Sequence, residues 1–246
     1  MVESGSMQSN FVLIHKQFPA AAEYLSNIYL IARDYGYVTN TRLAEWMGVS
    51  NSAVTQALGR IKRLGLVRQK RYEKVLLSAT GRELAIRVLR RHYLLEHLLV
   101  RVLDYPWEKA DEESKLLQTE ISDDLAEHLF VKLGSPQVCP HGNPMPGSKV
   151  ESGLLSAPKL SEATPGVTVK ILRITEEGEQ IPSMLAFCQR HGLQPGFRFR
   201  VTAKDKKAIH LRRSGSAKRP EGKASFSLPL ERAQHVRYEL VASKPS

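Results

Sequence analysis

The feature that most constrains this chain lies between Thr39 and Leu77. Thr39 or Asn40 can cap a short helix over Thr41 to Met47, because a side-chain oxygen there takes one of the N–H groups left unpaired at a helix start. Gly48 closes that helix with a residue suited to positive φ. Ser50 caps a second helix reaching about Leu64, on which Val54, Leu58, Ile61 and Leu64 share one buried stripe. Its opposite face carries Ser52, Thr55, Gln56, Gly59, Arg60 and Arg63. Two short strand-like runs around a charged tip, Leu66 to Leu77, then read as a hairpin wing. Two helices joined by a tight turn, with a polar outer face on the second, match the needs of a helix-turn-helix, whose second helix must offer hydrogen-bonding groups to base edges. The pattern implies double-stranded DNA as the partner.

Charge agrees with that partner. The 246 residues carry a formal net charge of +11, which favours a polyanion because each cation set against a phosphate releases condensed counterions. The charge is uneven: Arg60 to Arg91 holds eleven Lys/Arg against Glu73 and Glu83, whereas Asp104 to Glu127 holds nine acids against Lys109 and Lys115. A second basic cluster, 198–223, contains ten Lys/Arg, among them Lys218, Arg219 and Lys223.

Around this motif the periodicity predicts further elements. Tyr24, Leu25, Ile28, Tyr29 and Ala32 mark an amphipathic helix over Ala20 to Asp34, ended by Gly36. Thr80-Gly81-Arg82 opens a long helix through Leu99, stopped at Asp104-Tyr105-Pro106. Asp111 to Lys132 reads as one helix, with Leu117, Ile121, Leu125 and Leu129 spaced by four, a stripe suited to a second subunit. Ser135 to Pro165, with six prolines, reads as an irregular connector. Short strand-like runs at Val167 to Ile174, Phe197 to Thr202, Ala208 to Leu211 and Phe226 to Leu230, with a helix at Ser183 to His191, predict a small β-rich domain.

Some classes are disfavoured. Cys139 and Cys188 fit no closely spaced zinc pattern, and no run has the length of a membrane-spanning helix, so a cytoplasmic protein is expected. Nucleophile-elbow, phosphate-loop and His-Glu-x-x-His motifs are missing, so an enzyme is not expected.

The order of parts resembles the diphtheria toxin repressor family of metal-responsive transcription regulators (DtxR/MntR type). The resemblance rests on Glu23-Tyr24-Leu25 with Ile28-Tyr29, Leu43-Ala44-Glu45, Val49-Ser50, Val54-Thr55, Leu66-Val67, Thr80-Gly81-Arg82, Arg91-His92 with Leu95-Glu96, Ile121-Ser122-Asp123 and the block Cys139 to Gly147. It implies a mainly α N-terminal half, a winged helix-turn-helix at 20–80 after an extension at 1–19 and a helical dimerisation and metal-site domain at 81–147. A linker at 148–165 and a small β-rich SH3-like domain at 166–246 follow. It also implies a homodimeric regulator of metal-homeostasis genes, most simply a repressor, that binds a palindromic operator and responds to Mn²⁺ or Fe²⁺, with Zn²⁺ a poorer fit.

By position, Ser50, Ser52, Ala53 and Gln56 fall where such proteins contact DNA. Gln56 is the candidate base reader, since its amide can pair bidentately with adenine. Arg60, Arg63, Lys70, Arg71 and Lys74 are candidate phosphate contacts, which set register. For Gln56 an ordinary exposed position remains the alternative.

The family's first metal site falls on Glu23, Lys115, Gln118 and Thr119, of which only Glu23 is an obvious ligand, and an ammonium at Lys115 repels a cation. An ion pair between Lys115 and Glu23 is the expectation there, its charge replacing the ion, which leaves open a metal-independent or other-ligand-responsive regulator of the same fold, or a nonspecific DNA-binding module. A second site keeps His92 and Glu96 one helical turn apart, with Asp111 at the third position. Metal binding and a hydrogen-bonded His/Glu pair inside the bundle are both open for these residues. His141 is expected to hold the connector rather than a metal.

Overall fold

The structure, a computed structural model, describes residues 18–70, 73–214 and 225–241. Arg71, Lys218, Arg219, Lys223 and nearly all of the N-terminal extension lie outside the described residues. The chain divides into two compact units, Met1–His92 with Leu117–His128, and Tyr93–Leu116 with Leu129–Ser246.

In the first unit, helix α1 (Ala21–Tyr35) buries Tyr24, Leu25, Ile28 and Tyr29 and ends at Gly36, whose φ of 79° is left-handed. Helix α2 (Asn40–Met47) starts on Thr39, whose hydroxyl accepts from Arg42 N at 3.1 Å. Helix α3 (Asn51–Arg63) starts on Ser50, which accepts from Ala53 N at 3.1 Å, and buries Val54, Ala57, Leu58 and Ile61. The wing is a minimal ladder of β1 (Val67–Arg68) and β2 (Leu76–Leu77), with Val67 opposite Leu77. Its root is fixed by Gln69 Nε2 donating to Asn40 Oδ1 at 2.8 Å and by Val75 N donating to Val38 O at 2.9 Å. Helix α4 (Ala79–Arg101) follows, and the boundary between the units falls within it.

The single helix expected over Asp111 to Lys132 is two, α5 (Ala110–Leu117) and α6 (Asp123–Lys132). Ser122 Oγ accepts from Leu125 N at 3.1 Å, so a fresh N-terminus forms there, and Asp123 and Asp124 in its first turn suit the positive end of the helix dipole. The predicted stripe is split accordingly: Leu129 is buried while Leu117 and Leu125 stay exposed.

The expected irregular connector is partly a built element. Cys139 N donates to Asn143 O and Gly142 N to Cys139 O, closing a tight turn whose His141 carbonyl accepts from Ile174 N at 3.0 Å. A Cβ on Gly142 would sit 2.1 Å from the Leu172 carbonyl oxygen, so only glycine permits this approach. Beyond it lie a short helix α7 (Glu151–Ser156) and a 3₁₀ turn at Leu160–Glu162 whose Leu160 is fully buried.

The second unit holds an antiparallel five-stranded sheet of β3 (Thr168–Ile174), β4 (Arg198–Lys204), β5 (Ala208–Ser214), β6 (Ser225–Pro229) and β7 (Val236–Leu240), in the order β6-β5-β4-β3-β7. Strand β7 was not expected from the sequence, because its Val-Arg-Tyr-Glu alternation exposes only two inward residues, Val236 and Tyr238. Val169, Ile171, Phe199, Val201, Ile209 and Leu211 build the core of this sheet. Helices α8 (Glu176–Glu179) and α9 (Met184–His191) connect β3 to β4, and α10 (Leu230–Ala233) precedes β7.

Candidate metal centre and nucleic-acid interface

On the first unit, the outward face of α3 is built as the sequence pattern requires. Ser50, Ser52, Ala53, Gln56, Arg60 and Arg63 are all exposed, as are Lys70 and Lys74 on the wing. Gln56 makes no hydrogen bond to another described residue, so both ends of its amide are available. Lys62 Nζ instead donates to the Gln69 carbonyl at 2.8 Å and ties α3 to the wing, a use of charge that leaves Arg60 and Arg63 facing outward.

On the second unit, α4, the Cys139–Asn143 turn and α8 converge on a buried polar cluster. Ligand atoms of Glu96, Cys139 and His141 lie within 4.8 Å of one another, all three side chains buried. His141 Nε2 is 3.0 Å from the Trp107 carbonyl oxygen, which can only accept, so this nitrogen carries the proton and Nδ1 faces Glu96 Oε1 at 3.1 Å. Glu179 Oε2 lies 3.7 Å from the same Nδ1. Glu179 is steadied by Asn143 Nδ2, and Asn143 Oδ1 accepts from Arg173 Nη1 at 3.1 Å. Glu176, one turn earlier, accepts from the Tyr93 hydroxyl.

The electrostatics of the cluster are those of a cation site. Glu96, Asp111, Glu176 and Glu179 are buried carboxyl groups in one neighbourhood, and isolated buried charge is costly. Burial, then the carboxylates around it, pushes the Glu179 carboxyl well above its ordinary range despite His141. Burial works against a charged His141, but Glu179 and Glu96 outweigh it and lift its pKa to about 10. Burial and the neighbouring glutamates push the Cys139 thiol up. A thiol, an imidazole and carboxylates form a donor set suited to a divalent transition metal. An imidazole whose second nitrogen donates to a backbone carbonyl has the outer support that metal-bound histidines show. The residues present therefore fit a metal.

A second group, His92, Glu96 and Asp111, also brings its ligand atoms within 4.8 Å of one another and shares Glu96 with the first. Asp111 is at the same time engaged by Lys115, whose Nζ donates to Oδ2 at 2.7 Å. Lys115 is thus paired with Asp111, one turn away on α5, and Glu23 is exposed on α1. Gln118 and Thr119 fall in the break between α5 and α6, where Thr119 donates to Glu120.

The sequence pattern singles out His92, Glu96 and Asp111, whose ligand atoms do come together, and gives His141 to the connector; Cys139, Glu176 and Glu179 are not among its candidates. Cys-x-His ahead of a glycine was the available signal for Cys139 and His141, since a tight turn can point both side chains the same way. Nothing local marks Glu176 and Glu179, which arrive through the packing of α8.

The model of the iron-dependent repressor N-terminal DNA-binding domain matches residues 18–75, and that of the iron-dependent repressor metal-binding and dimerisation domain matches 78–147. The iron-dependent repressor IdeR of Mycobacterium leprae is 30% identical over 188 residues, 72% of this chain and 81% of that protein. The diphtheria toxin repressor of Corynebacterium jeikeium is 28% identical over 193 residues, 70% of this chain and 80% of that protein. Among solved structures, a manganese-dependent transcriptional repressor in complex with manganese superposes with a TM-score of 0.71 at 29% identity, covering 90% of this chain and 100% of the other. ScaR with bound Zn²⁺ superposes with a TM-score of 0.68 at 26% identity, covering 90% and 99%. With its helical DNA-binding half and its C-terminal sheet, the chain belongs to the diphtheria toxin repressor family (DtxR/MntR type) of metal-dependent transcriptional repressors, which are not enzymes.

Proposed function

We propose that this chain is a homodimeric repressor of metal-homeostasis genes that binds a palindromic operator when a divalent cation, Mn²⁺ or Fe²⁺, occupies Glu96, Cys139, His141 and Glu179. The observation that carries the reading is the buried thiol, imidazole and carboxylate cluster on a chain that also presents an exposed α3 and wing. A metal held there would supply positive charge that offsets the buried carboxylates. The chain's own residues prepare that event: Trp107 O fixes the His141 ring, Asn143 holds Glu179, and Arg173 holds Asn143. His92 and Asp111 are further ligand candidates, with Asp111 shared with Lys115. Gln56 reads base edges; Ser50, Ser52 and Ala53 approach them. Arg60, Arg63, Lys70, Arg71 and Lys74 hold phosphates. The exposed Leu116, Leu117, Leu125 and Val131 support burial against a second subunit. The protein acts in the cytoplasm, with its operator.

The test is selection from a random duplex pool with Mn²⁺ and again with a chelator. An inverted repeat enriched only with metal, and lost for Cys139→Ser, is expected. Equal selection with and without metal, or no enriched sequence, overturns the reading.

A further inference from the structure

The outer face of the C-terminal sheet carries a row of cations. Along β4, Phe199 and Val201 enter the core while Arg198 and Arg200 are exposed; on β5, Ile209 and Leu211 enter it while Arg212 is exposed. The register sets Lys170 of β3 opposite Arg198, and Arg200 opposite Arg212. Like charges directly opposite across strands are destabilising, so the fold alone gives no reason for this arrangement.

Nor do carboxylates relieve it. Lys170 pairs with Glu239 at 2.9 Å, but Arg198, Arg200 and Arg212 have no carboxylate partner among the described residues. The nearest acid in sequence, Asp205, is consumed by the β4–β5 turn: it accepts from Lys207 N at 2.7 Å and Ala208 N at 2.9 Å and pairs with His210 at 3.0 Å. Lys204, Lys206 and Lys207 beside it are exposed as well.

We propose that this face of the sheet is a second DNA-contact surface that engages the phosphate backbone of a duplex without reading bases. Guanidinium groups suit phosphate because their planar fork can donate two hydrogen bonds to it. On the same face Ser225 is exposed and offers a hydroxyl of the kind that contacts phosphate oxygens, whereas Thr202 donates to the His210 carbonyl at 3.1 Å and Ser227 pairs with His210 Nδ1 at 2.8 Å. Stacked single-stranded bases need aromatic platforms, and a membrane surface needs apolar side chains to insert. On β4 and β5 the aromatic and large aliphatic side chains, Phe199, Val201, Ile209 and Leu211, turn inward instead.

The test uses the full-length protein and a mixed-sequence duplex of 30 base pairs lacking the operator, titrated by fluorescence anisotropy from low to moderate NaCl. Arg200→Gln/Arg212→Gln removes two phosphate contacts, so the slope of log K against log salt becomes shallower by about 2, at about 0.9 per contact. Its melting temperature stays level or rises, because a like-charge pair is relieved. Arg198→Gln alone gives about half that slope change and serves if the double variant does not fold. Lys149→Gln/Lys159→Gln, an equal charge change away from the row, leaves the slope nearly as it is. An unchanged slope in Arg200→Gln/Arg212→Gln, or an equal change in the Lys149/Lys159 variant, overturns the proposal. So does a variant that loses binding to phosphatidylserine vesicles while keeping the DNA slope.

Discussion

His141 Nδ1 lies 3.1 Å from Glu96 Oε1 while its Nε2 donates to the Trp107 carbonyl at 3.0 Å. The ring is held so that Nδ1, turned toward Glu96, is the atom that would ligate a metal in the proposed site. In the metal-free protein, Glu179 and Glu96 lift the His141 pKa to about 10. Its stabilising contribution is therefore complete below the unfolded value of about 6.5 and is lost as pH rises through about 10. Metal must displace the His141 Nδ1 proton and the one on the Cys139 thiol, so affinity moves the opposite way, rising with pH. Calorimetry in buffers of differing ionisation enthalpy should count about two protons released per metal near neutral pH. Release of none would remove His141 and Cys139 from the ligand set.

Cys139→Ser keeps the size of the side chain and removes the soft ligand. Metal affinity should fall by at least about 10-fold, and more for softer ions than for Mn²⁺. Competition against a fluorescent chelator measures this, with circular dichroism confirming that the fold persists.

Lys115→Ala strips Asp111 of its ammonium partner. Because Lys115 is half exposed, the cost in metal-free protein should be only about 1 kcal/mol. Added Mn²⁺ should restore the melting temperature of this variant more than that of the parent, since Asp111 becomes free to bind it. Equal thermal shifts in both would show that Asp111 takes no part.

Gly81→Ala tests the joint between wing and α4. A Cβ there would lie 2.0 Å from the Leu66 carbonyl oxygen, which also accepts from Ser78 N at 2.9 Å, so backbone must move. A loss of about 2 kcal/mol or more is expected, read as a lower chemical-denaturation midpoint.

Gln56→Ala and Lys70→Ala separate base reading from anchoring. The first should relax sequence preference, by about 1–3 kcal/mol at one position. The second should weaken all duplexes alike and reduce the salt slope by about 1. Binding isotherms on a panel of single-base operator variants distinguish them, and uniform effects from both would remove Gln56 as a reader.

The DNA-binding half was legible because its information is local. Thr39, Ser50 and Gly48 act within one turn of themselves, and the Val54-Leu58-Ile61 stripe repeats within one helix, so caps, turn and buried face follow from neighbours in sequence. The Ser122 cap is equally local, but the leucine spacing continues across it, so the sequence pattern alone does not separate α5 from α6. Strand β7 has too few inward residues to stand out until β3 pairs with it.

Sequence alone thus determined the winged helix-turn-helix, the surplus of positive charge, and the presence of Lys115, Gln118 and Thr119 where the resemblance implies metal ligands. Only tertiary structure brought together the residues proposed to hold a metal. Glu96, Cys139, His141 and Glu179 come from a long helix, a glycine-dependent turn and a short helix after β3, elements separated by tens of residues. Metal ligation depends on distances of a few ångströms between such elements, and spacing along the chain carries no record of those distances until the core has packed.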